Sequence, residues 1–195
     1  MFLGAHCDAN GIVSQLEIVS FRGSRTTSIT YIRLTAFLAA VGTRDVSVAK
    51  LLIQHGANVN FPANGPVKRT PLQRAAEIGS MDIANLLLEH GAEVNAPPAR
   101  DGGGTALQLA AMGGYIGIAW ELMTKGANVD AKASAANGRT ALEGASEHGR
   151  LDMVAVLLKA GAADNGKDHA QLKRAMEFAK ENGHFHIFKI KGFKT

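Results

Sequence analysis

The stretch from Thr70 to Asn95, TPLQRAAEIGSMDIANLLLEHGAEVN, is nearly repeated twice further along the chain. Its second version, TALQLAAMGGYIGIAWELMTKGANVD, begins at Thr105, and its third, TALEGASEHGRLDMVAVLLKAGA, begins at Thr140. These opening threonines lie 35 residues apart, and Thr35 extends the series backwards by one more interval. A period of this length is typical of a stacked solenoid, because a unit so short cannot bury its apolar face alone.

Each unit carries the signals of two short helices joined by a turn. In the clearest unit we expect Thr70 to cap the first helix, and Pro71 suits the first helical position, where its missing N–H has no partner to lose. Gly79 predicts the left-handed residue that ends this helix, and Gly91 does the same for a second helix over about Met81 to Glu89. The following segment is rich in Pro, Gly and Asn, which predicts a projecting turn or hairpin, here called a finger.

This unit resembles the ankyrin repeat, whose signature is a T-P-L-H-x-A-A start, a helix-ending glycine and an L-L-x-x-G-A-x-x-N finish. The resemblance covers roughly residues 35 to 183, and it implies an all-α solenoid of stacked helix-turn-helix units with projecting loops or hairpins. The long fingers resemble those of fungal multi-repeat proteins, and the irregular ends suggest a fragment of a larger chain. The matching residues of the clearest unit are Thr70, Pro71, Leu72, Ala75, Ala76, Gly79, Leu86, Leu87, Gly91, Ala92 and Asn95.

The resemblance also divides the chain. Residues 1–34 are predicted to form a degenerate N-terminal cap or linker, because GAHCDAN resembles the end of a unit but the next cap comes too late. Residues 167–195 are predicted to form a partial fifth repeat that acts as a C-terminal cap with a basic tail. Between them we predict four repeats, at residues 35–69, 70–104, 105–139 and 140–166.

Two positions of the family signature are altered. The usual histidine is replaced by Leu38, Gln73, Gln108 and Glu143, so the hydrogen bonds that it supplies between repeats must be remade or lost. Arg44 stands where the first unit should have its helix-ending glycine. Because a left-handed residue other than glycine costs roughly 1 kcal/mol, we expect this unit to turn differently or to be marginal.

The third unit differs in its second helix. Trp120 and Glu121 occupy the places that Asn85 and Leu86 hold in the second unit. One interpretation is a small helix rotation that folds Trp120 over a neighbouring repeat. The other is an exposed tryptophan that anchors a partner on the convex side, since exposed Trp is a frequent binding hot spot.

Composition restricts the class of protein. With 195 residues and 46% apolar residues, the chain is too apolar for disorder and too polar for a membrane protein, which describes a soluble protein. The longest apolar run, Ile29 to Val41, contains Arg33 and is shorter than the roughly 20 residues that span a bilayer. Cys7 is the single cysteine, which favours an intracellular location, cytoplasmic or nuclear. The net charge of +4 lies at the end, because residues 167–195 hold seven Lys and Arg against three Asp and Glu.

The sequence contains no group of residues that indicates an enzyme, a metal site or a cofactor. His184 and His186 have no Cys or carboxylate at metal-ligand spacing. The positions of His55 and His90 before helix-ending glycines explain them, since a cation there favours the helix dipole. The run DGGGT from Asp101 lacks the Lys-Ser/Thr of a phosphate-binding loop.

The positions that vary between units predict a binding surface. In such a stack the first helices and the fingers align along one concave side. The caps and leucines repeat, which indicates a scaffold, while other positions differ and are free to select a partner protein. We expect the finger tips to carry Lys68, Arg69, Arg100, Asp101 and Arg139. Such mostly basic fingers around a partly apolar centre favour a protein segment with some acidic character, and the alternative of merely tolerant surface positions stays open. The predicted partner-binding residues are Lys68, Arg69, Arg74, Glu77, Ile78, Arg100, Asp101, Leu109, Met112, Arg139, Glu147 and His148.

The basic tail gives an alternative function, the binding of nucleic acid or of an anionic surface. We rank this below a protein partner, and we expect neither a membrane span nor a small-molecule substrate. Steep weakening with salt would separate phosphate binding from protein binding. A non-functional remnant is a third hypothesis. The residues of the alternative site are Lys173, Arg174, Lys180, Lys189, Lys191 and Lys194.

Overall fold

The computed structural model describes residues 10–20, 27–63, 67–162 and 170–190. Its helices follow one another in pairs, and a 3-10 helix at Phe185–Lys189 closes the last pair. We call the odd-numbered helices inner helices and the even-numbered ones outer helices. In chain order they are α1 (Ala36–Thr43), α2 (Val46–Gln54), α3 (Pro71–Ile78), α4 (Met81–Glu89), α5 (Ala106–Gly113), α6 (Ile116–Thr124), α7 (Ala141–Glu147), α8 (Leu151–Lys159) and α9 (Ala170–Glu181).

The helix pairs stack side by side. Each inner helix packs against the next inner helix from α1 to α9, and each outer helix packs against the next outer helix. The inner helices approach one another more closely than the outer helices do, because small residues such as Ala75, Ala76, Ala110 and Ala111 are fully buried between them. The stack therefore curves with its inner helices on the concave side. The solenoid that the period predicts is confirmed.

Buried leucines and isoleucines repeat through the stack and form one continuous core. Leu72 in α3, Leu107 in α5 and Leu142 in α7 hold equivalent positions, and each is almost completely excluded from solvent. In the outer helices the same holds for Leu87 and Leu122. No single pair of helices could bury these side chains on both flanks, so each repeat depends on its neighbours for stability.

The inner helices begin at the predicted threonine caps. The side chains of Thr70, Thr105 and Thr140 each accept a hydrogen bond from the backbone N–H three residues later. In return, the side-chain oxygens of Gln73 and Gln108 accept from the backbone N–H of the capping threonine, at 3.0 and 2.9 Å. These reciprocal bonds satisfy amides that a helix start otherwise leaves without a partner.

The glutamines also replace the missing family histidine. The amide nitrogen of Gln73 donates to the carbonyl oxygens of Ala96 and Pro97, at 3.1 and 3.0 Å. The amide of Gln108 makes the same pair of bonds with residues 131 and 132, at 2.8 and 3.1 Å. The hydrogen bonds in question are thus remade in these two repeats, between the start of an inner helix and the loop that leads to the next one.

Glu143 holds this position in the fourth repeat, where a carboxylate cannot donate. One of its oxygens accepts from the backbone N–H of Thr140 at 3.0 Å. The other lies 3.2 Å from Nε of Arg174 in α9, and the Glu143 side chain is only 1% exposed. The change from amide to carboxylate is therefore accompanied by a cation from the last helix.

The first inner helix ends like the others, so the expectation that Arg44 would make its repeat turn differently is wrong. Arg44 has φ 61°, in the same left-handed region as Gly79 at 71° and Gly114 at 76°. The Arg44 guanidinium donates to the backbone oxygen of Ile78 in the next repeat. This bond anchors the side chain of a residue whose backbone conformation is unfavourable.

Two strands precede α1, which the sequence analysis does not predict. Strand β1 (Ile12–Ser20) pairs with strand β2 (Thr27–Thr35) in an antiparallel register that sets Ile12 opposite Thr35 and Ser20 opposite Thr27. The residues before Asn10 and those that join the two strands lie outside the described part of the chain. The predicted N-terminal cap or linker thus includes a β-hairpin that leads directly into the first inner helix.

An asparagine ladder shows where this hairpin is inserted. Asn60 donates to the backbone oxygen of Gly91 at 3.0 Å and accepts from the N–H of Glu93 at 2.7 Å. Asn10 makes the equivalent bonds, to the oxygen of Gly56 at 3.1 Å and from the N–H of Asn58 at 2.7 Å. Asn10 and its acceptor are 46 positions apart, against 31 for Asn60, so the loop after Asn10 is 15 residues longer. The hairpin therefore lies where the other repeats have a finger.

Candidate functional site

Two ion pairs with identical spacing lie on the inner surface, the face formed by the inner helices and the fingers before them. Nη2 of Arg69 lies 2.8 Å from Oε1 of Glu77, and Nε of Arg69 lies 3.1 Å from the same oxygen. Arg139 binds Glu147 through Nε at 2.8 Å and Nη2 at 3.2 Å. Each arginine precedes a threonine cap and each glutamate lies near the end of the inner helix, so the pair runs along the exposed side of that helix.

The repeat between them lacks this pair. Gly104 and Met112 stand at the positions that Arg69 and Glu77 hold one period earlier. A cavity of about 310 Å³ opens there, which we call the central cavity. It is lined by Arg69, Glu77, Gly102, Gly103, Gly104, Leu109, Met112, Gly113, Asn137, Gly138, Arg139, His148 and Arg150.

Apolar side chains from α5 form the floor of the central cavity. Leu109 is only 6% exposed and packs directly under Gly104, since a Cβ on that glycine would lie 3.1 Å from Cγ of Leu109. Met112 extends toward the next inner helix, where a Cβ on Gly144 would lie 2.5 Å from Cγ of Met112. The absence of a side chain at Gly104 therefore leaves room for the cavity. The absence of one at Gly144 leaves room for Met112.

Arginines dominate the charge at the cavity. Arg69, Arg139 and Arg150 line it, against the carboxylate of Glu77, which binds Arg69, and that of Glu147, which binds Arg139 from outside the lining. The Nε atom of Arg150 donates to the backbone oxygen of Met112 at 3.2 Å, which fixes the side chain at the edge of the cavity.

Aromatic and charged neighbours hold the two flanking arginine–glutamate pairs differently. The guanidinium of Arg139 lies over the ring of Phe178 in α9, with Cζ 4.2 Å from the ring centre. A cation over an aromatic face is attracted by the ring quadrupole. On the other side, Glu77 also binds Nη1 of Arg74 at 2.9 Å. Both pairs are thus bound at the helix surface and form two walls around the central cavity.

The structure brings half of the twelve predicted partner-binding residues together. Three others, Arg74, Ile78 and Glu147, are half-buried on the same inner helices, and Lys68, Arg100 and Asp101 are exposed on the fingers. The six that line the central cavity are Arg69, Glu77, Leu109, Met112, Arg139 and His148.

Three placements differ from the prediction. Arg69 and Arg139 do not project from finger tips, because each is bound to a glutamate at the base of its finger and only 18% or 24% of its side chain is exposed. Leu109 is buried rather than a free surface position. A residue expected at a flexible tip can form part of a wall, because an ion pair along the helix draws it onto the inner surface.

Glycines and one arginine were missed by sequence reasoning. Gly104 could have been found by aligning the repeats, because Arg69 and Arg139 stand 35 residues on either side of it. Arg150 gave no such signal, because it follows the helix-ending Gly149, outside the positions expected to face a partner. Its position at the cavity depends on how the fourth repeat packs against the third.

The two long fingers next to the cavity are joined. Asp101 and Ala136 form a parallel bridge, the N–H of Gly102 donates to the oxygen of Ala136 at 3.0 Å, and the Asn137 amide lies 3.4 Å from a carboxylate oxygen of Asp101. These contacts link residues 100–102 to residues 136–137. The fingers therefore form one connected border rather than two independent loops.

The repeats of this stack match a known family. A family model described as ankyrin repeats in three copies matches residues 6–98 and again residues 97–169. The chain belongs to the ankyrin repeat family. Ankyrin repeats are generally protein–protein interaction modules and typically non-catalytic. A search of curated proteins found no significant match to this chain.

On the outer surface of this ankyrin stack, Trp120 is not folded away. Its side chain is 52% exposed on α6, while the neighbouring Leu122 is completely buried and supplies the core contact. Glu121 is half-buried, with its carboxylate 3.9 Å from Nζ of Lys125. The helix accommodates Glu121 without burying it, and the interpretation that packs Trp120 over another repeat is not what the structure shows.

In the described part of the alternative basic site, one cation is paired with a carboxylate and the others are exposed. Arg174 is committed to Glu143, whereas Lys173, Lys180 and Lys189 are exposed. Lys191 and Lys194 lie outside the described residues. His184 packs against Gly149, and its ring meets that of His186 edge to face at 6.0 Å between centres.

The described residues contain no cluster of three or more His, Cys, Asp or Glu side chains arranged to hold a metal ion. Among the described helices, none combines the length and the apolar character needed to cross a membrane. Cys7 lies outside the described residues.

Proposed function

We propose that this protein is a non-catalytic scaffold that binds a partner protein through the inner surface and the fingers of its ankyrin stack. The observation that carries the proposal is the central cavity, which lies between two bound arginine–glutamate pairs on the concave side. Protein interfaces often depend on a side chain of one partner that fills a well-packed pocket on the other. The lone Cys7 supports an intracellular location, in the cytoplasm or the nucleus.

The character of the inner surface supports a protein partner. Its scaffold residues repeat from unit to unit, whereas Arg74, Leu109 and Gly144 occupy one equivalent position in three successive repeats and differ completely in chemistry. At Arg74 and Gly144 such variation leaves the core unchanged, because neither residue belongs to it, whereas Leu109 is buried and forms the floor of the central cavity. A surface that varies on a constant scaffold suits recognition of one particular partner.

Site-specific photocrosslinking tests the proposal. We would place benzoylphenylalanine at His148, on the inner surface, and at Asp152, which is exposed on the outer helix α8. A partner protein that crosslinks at 148 and not at 152, and that also binds as a purified protein, is the expected result. Crosslinking at 152 alone would contradict the proposed binding face.

A pair of variants then measures the surface. In titrations with the purified partner, Arg74→Glu combined with Met112→Ala is expected to weaken binding by at least about tenfold, since reversed charge and lost apolar contact both act at the interface. Removing residues 191–195 keeps the buried Ile187 and is expected to leave binding unchanged. If removal of residues 191–195 weakens binding, the double variant binds normally and salt weakens binding steeply, the results would favour the basic tail and a phosphate-bearing partner.

A further inference from the structure

We propose that the central cavity receives a single apolar side chain from an acidic segment of the partner, and that Gly104 and Met112 determine this specificity. The inference rests on the proposed function, which it refines by naming the kind of segment bound. It follows from one comparison within the chain. Where the second and fourth repeats have an arginine–glutamate pair, the third has a glycine and a methionine, and the cavity occupies that place.

The size of the cavity suits a side chain. Its volume of about 310 Å³ is at the lower limit of pockets that enclose a small molecule, roughly 300 to 1,000 Å³. Leu109 and Met112 supply apolar contacts, and backbone of Gly103, Gly104 and Gly113 lines the rest of this side. Interfaces often depend on one apolar or aromatic anchor that fills such a pocket.

Gly104 is the residue that keeps the cavity open. Its Cα carries no side chain toward Leu109, and a Cβ there would lie 3.1 and 3.2 Å from the Cγ and Cδ2 atoms of that leucine. The backbone does not require glycine for its conformation, because Gly104 is not among the residues with positive φ. The glycine is therefore explained by the close approach of Leu109, which leaves little room for a side chain there, rather than by a turn.

The charge around the cavity selects the flanking residues of the segment. Arg69 and Arg139 are each paired with a glutamate, so the positive excess in the lining comes from Arg150 and favours a carboxylate nearby. Arg150 is oriented through its Nε, while its two terminal nitrogens make no hydrogen bond within the described part of the chain. Arginine binds carboxylates through two parallel hydrogen bonds, so these nitrogens suit an Asp or Glu beside the apolar anchor.

The deciding variant closes the cavity without changing the charge. Gly104→Arg with Met112→Glu rebuilds in the third repeat the ion pair that Arg69 and Glu77 form in the second. The net charge is unchanged, so attraction of an acidic segment persists while the room for an apolar anchor is lost. Arg150→Gln is the complementary variant, since it lowers the charge and leaves the apolar floor intact.

The probe is a random dodecapeptide library displayed on phage and selected on the wild-type protein. We expect the enriched peptides to share one Leu, Ile, Met or Phe between Asp or Glu residues. The best peptide, labelled with fluorescein, should bind the closed variant at least about tenfold more weakly. Replacing its apolar residue with Ala should cause a similar loss on the wild type and little further loss on the closed variant.

A size change gives a second readout. Met112→Ala widens the cavity, and selection on this variant is expected to shift the anchor from Leu or Ile toward Phe or Trp. If the closed variant fails to show the cooperative melting of the wild type, Gly104→Ala and Met112→Ala carry the test, with the narrowed cavity favouring smaller anchors and the widened one larger anchors. An anchor preference that is the same in both would overturn the proposal.

The outcomes separate the two proposals. Peptides that bind the closed variant as well as the wild type, yet lose binding to Arg74→Glu, would leave protein binding by the inner surface standing and overturn the role of the cavity. Peptides without an apolar anchor would have the same meaning. If no peptide is enriched, or if none of the inner-surface variants affects binding, both proposals fail.

Discussion

Helices α3 and α5 hold the same place in consecutive repeats, yet they present different surfaces. Both begin with a threonine–glutamine capping box, both bury a leucine at the second position, and in both the glutamine amide binds two carbonyls of the following loop. Along α3, however, Arg69 and Glu77 form an ion pair, whereas along α5 Gly104 and Met112 leave the central cavity. The residues that stabilise the repeat and those that shape its inner surface are therefore different sets on the same short helix.

The largest effects on stability should come from the buried leucines that α3 and α5 have in common. Leu72→Ala in α3 and Leu107→Ala in α5 each remove a fully buried side chain, so each is expected to lower the free energy of unfolding by about 2–5 kcal/mol. Urea denaturation followed by circular dichroism measures both. The two costs should agree within about 1 kcal/mol. A small loss at only one of them would show that the two helices are not equivalent in the scaffold.

The next largest effects on stability should distinguish two glycines that look alike in the sequence. Gly79 and Gly126 both have positive φ, but a Cβ on Gly79 would lie 2.4 Å from the ring of Tyr115, while nothing lies within 4 Å of one on Gly126. Gly126→Ala is expected to cost about 1 kcal/mol from backbone strain alone. Gly79→Ala should cost about 2–4 kcal/mol, since crowding adds to that strain.

A third glycine tests steric crowding by Tyr115 without the backbone strain of a positive φ. Gly113 lies in α5 without a positive φ, and a Cβ there would lie 2.2 Å from the same Tyr115 ring. Because the ring is held between Gly79 and Gly113, it has little room to move away. Gly113→Ala should therefore destabilise the protein in thermal melts although alanine favours a helix. A stabilised variant would show that Tyr115 adapts freely.

Loss of the cation beside Glu143, the carboxylate that replaces a glutamine in the fourth repeat, should have an intermediate effect on stability. Arg174→Ala leaves the buried Glu143 carboxylate without its cation and is expected to cost about 1–3 kcal/mol. Glu143→Gln in the same background should recover most of this loss, because it recreates the amide found at Gln73 and Gln108. Chemical denaturation of the two single variants and the double variant tests the coupling. Additive losses would contradict it.

The smallest effects should come from the two ion pairs. Arg69→Ala is expected to cost less than about 1 kcal/mol, because a partly exposed pair contributes little and Glu77 keeps Arg74. Arg139→Ala should cost about 0.5–1 kcal/mol more, since it also removes the contact with Phe178. Equal costs in parallel thermal melts would indicate that the aromatic contact adds nothing to stability.

Much of the fold was predictable because local chemistry and period point the same way. The threonine caps, the glycine stops and the buried leucines recur every 35 residues, and each is a local signal whose meaning does not depend on distant neighbours. Arg44 shows the limit of such reasoning, because its unfavourable conformation is compensated by a hydrogen bond to Ile78 of the next repeat. The hairpin before α1 was missed because no repeat of the chain offers a copy to compare with it.

The candidate site was predictable only in part. Six of the twelve proposed residues meet at the central cavity, since variable positions of a regular stack fall on one side. Whether a charged residue on that side is free or bound depends on its partner. Arg69 and Arg139 were expected at finger tips, but each meets a glutamate eight positions later in the chain.

The sequence by itself determined the repeat, its caps, its core and the direction in which the variable positions face, because all of these follow from periodic signals within one unit. Only the tertiary structure decided which of those positions form walls and which leave a space, because that depends on contacts between units. Arg150 reaches back to Met112 of the preceding repeat, and Phe178 supports Arg139 from the following one. No unit read alone contains either contact.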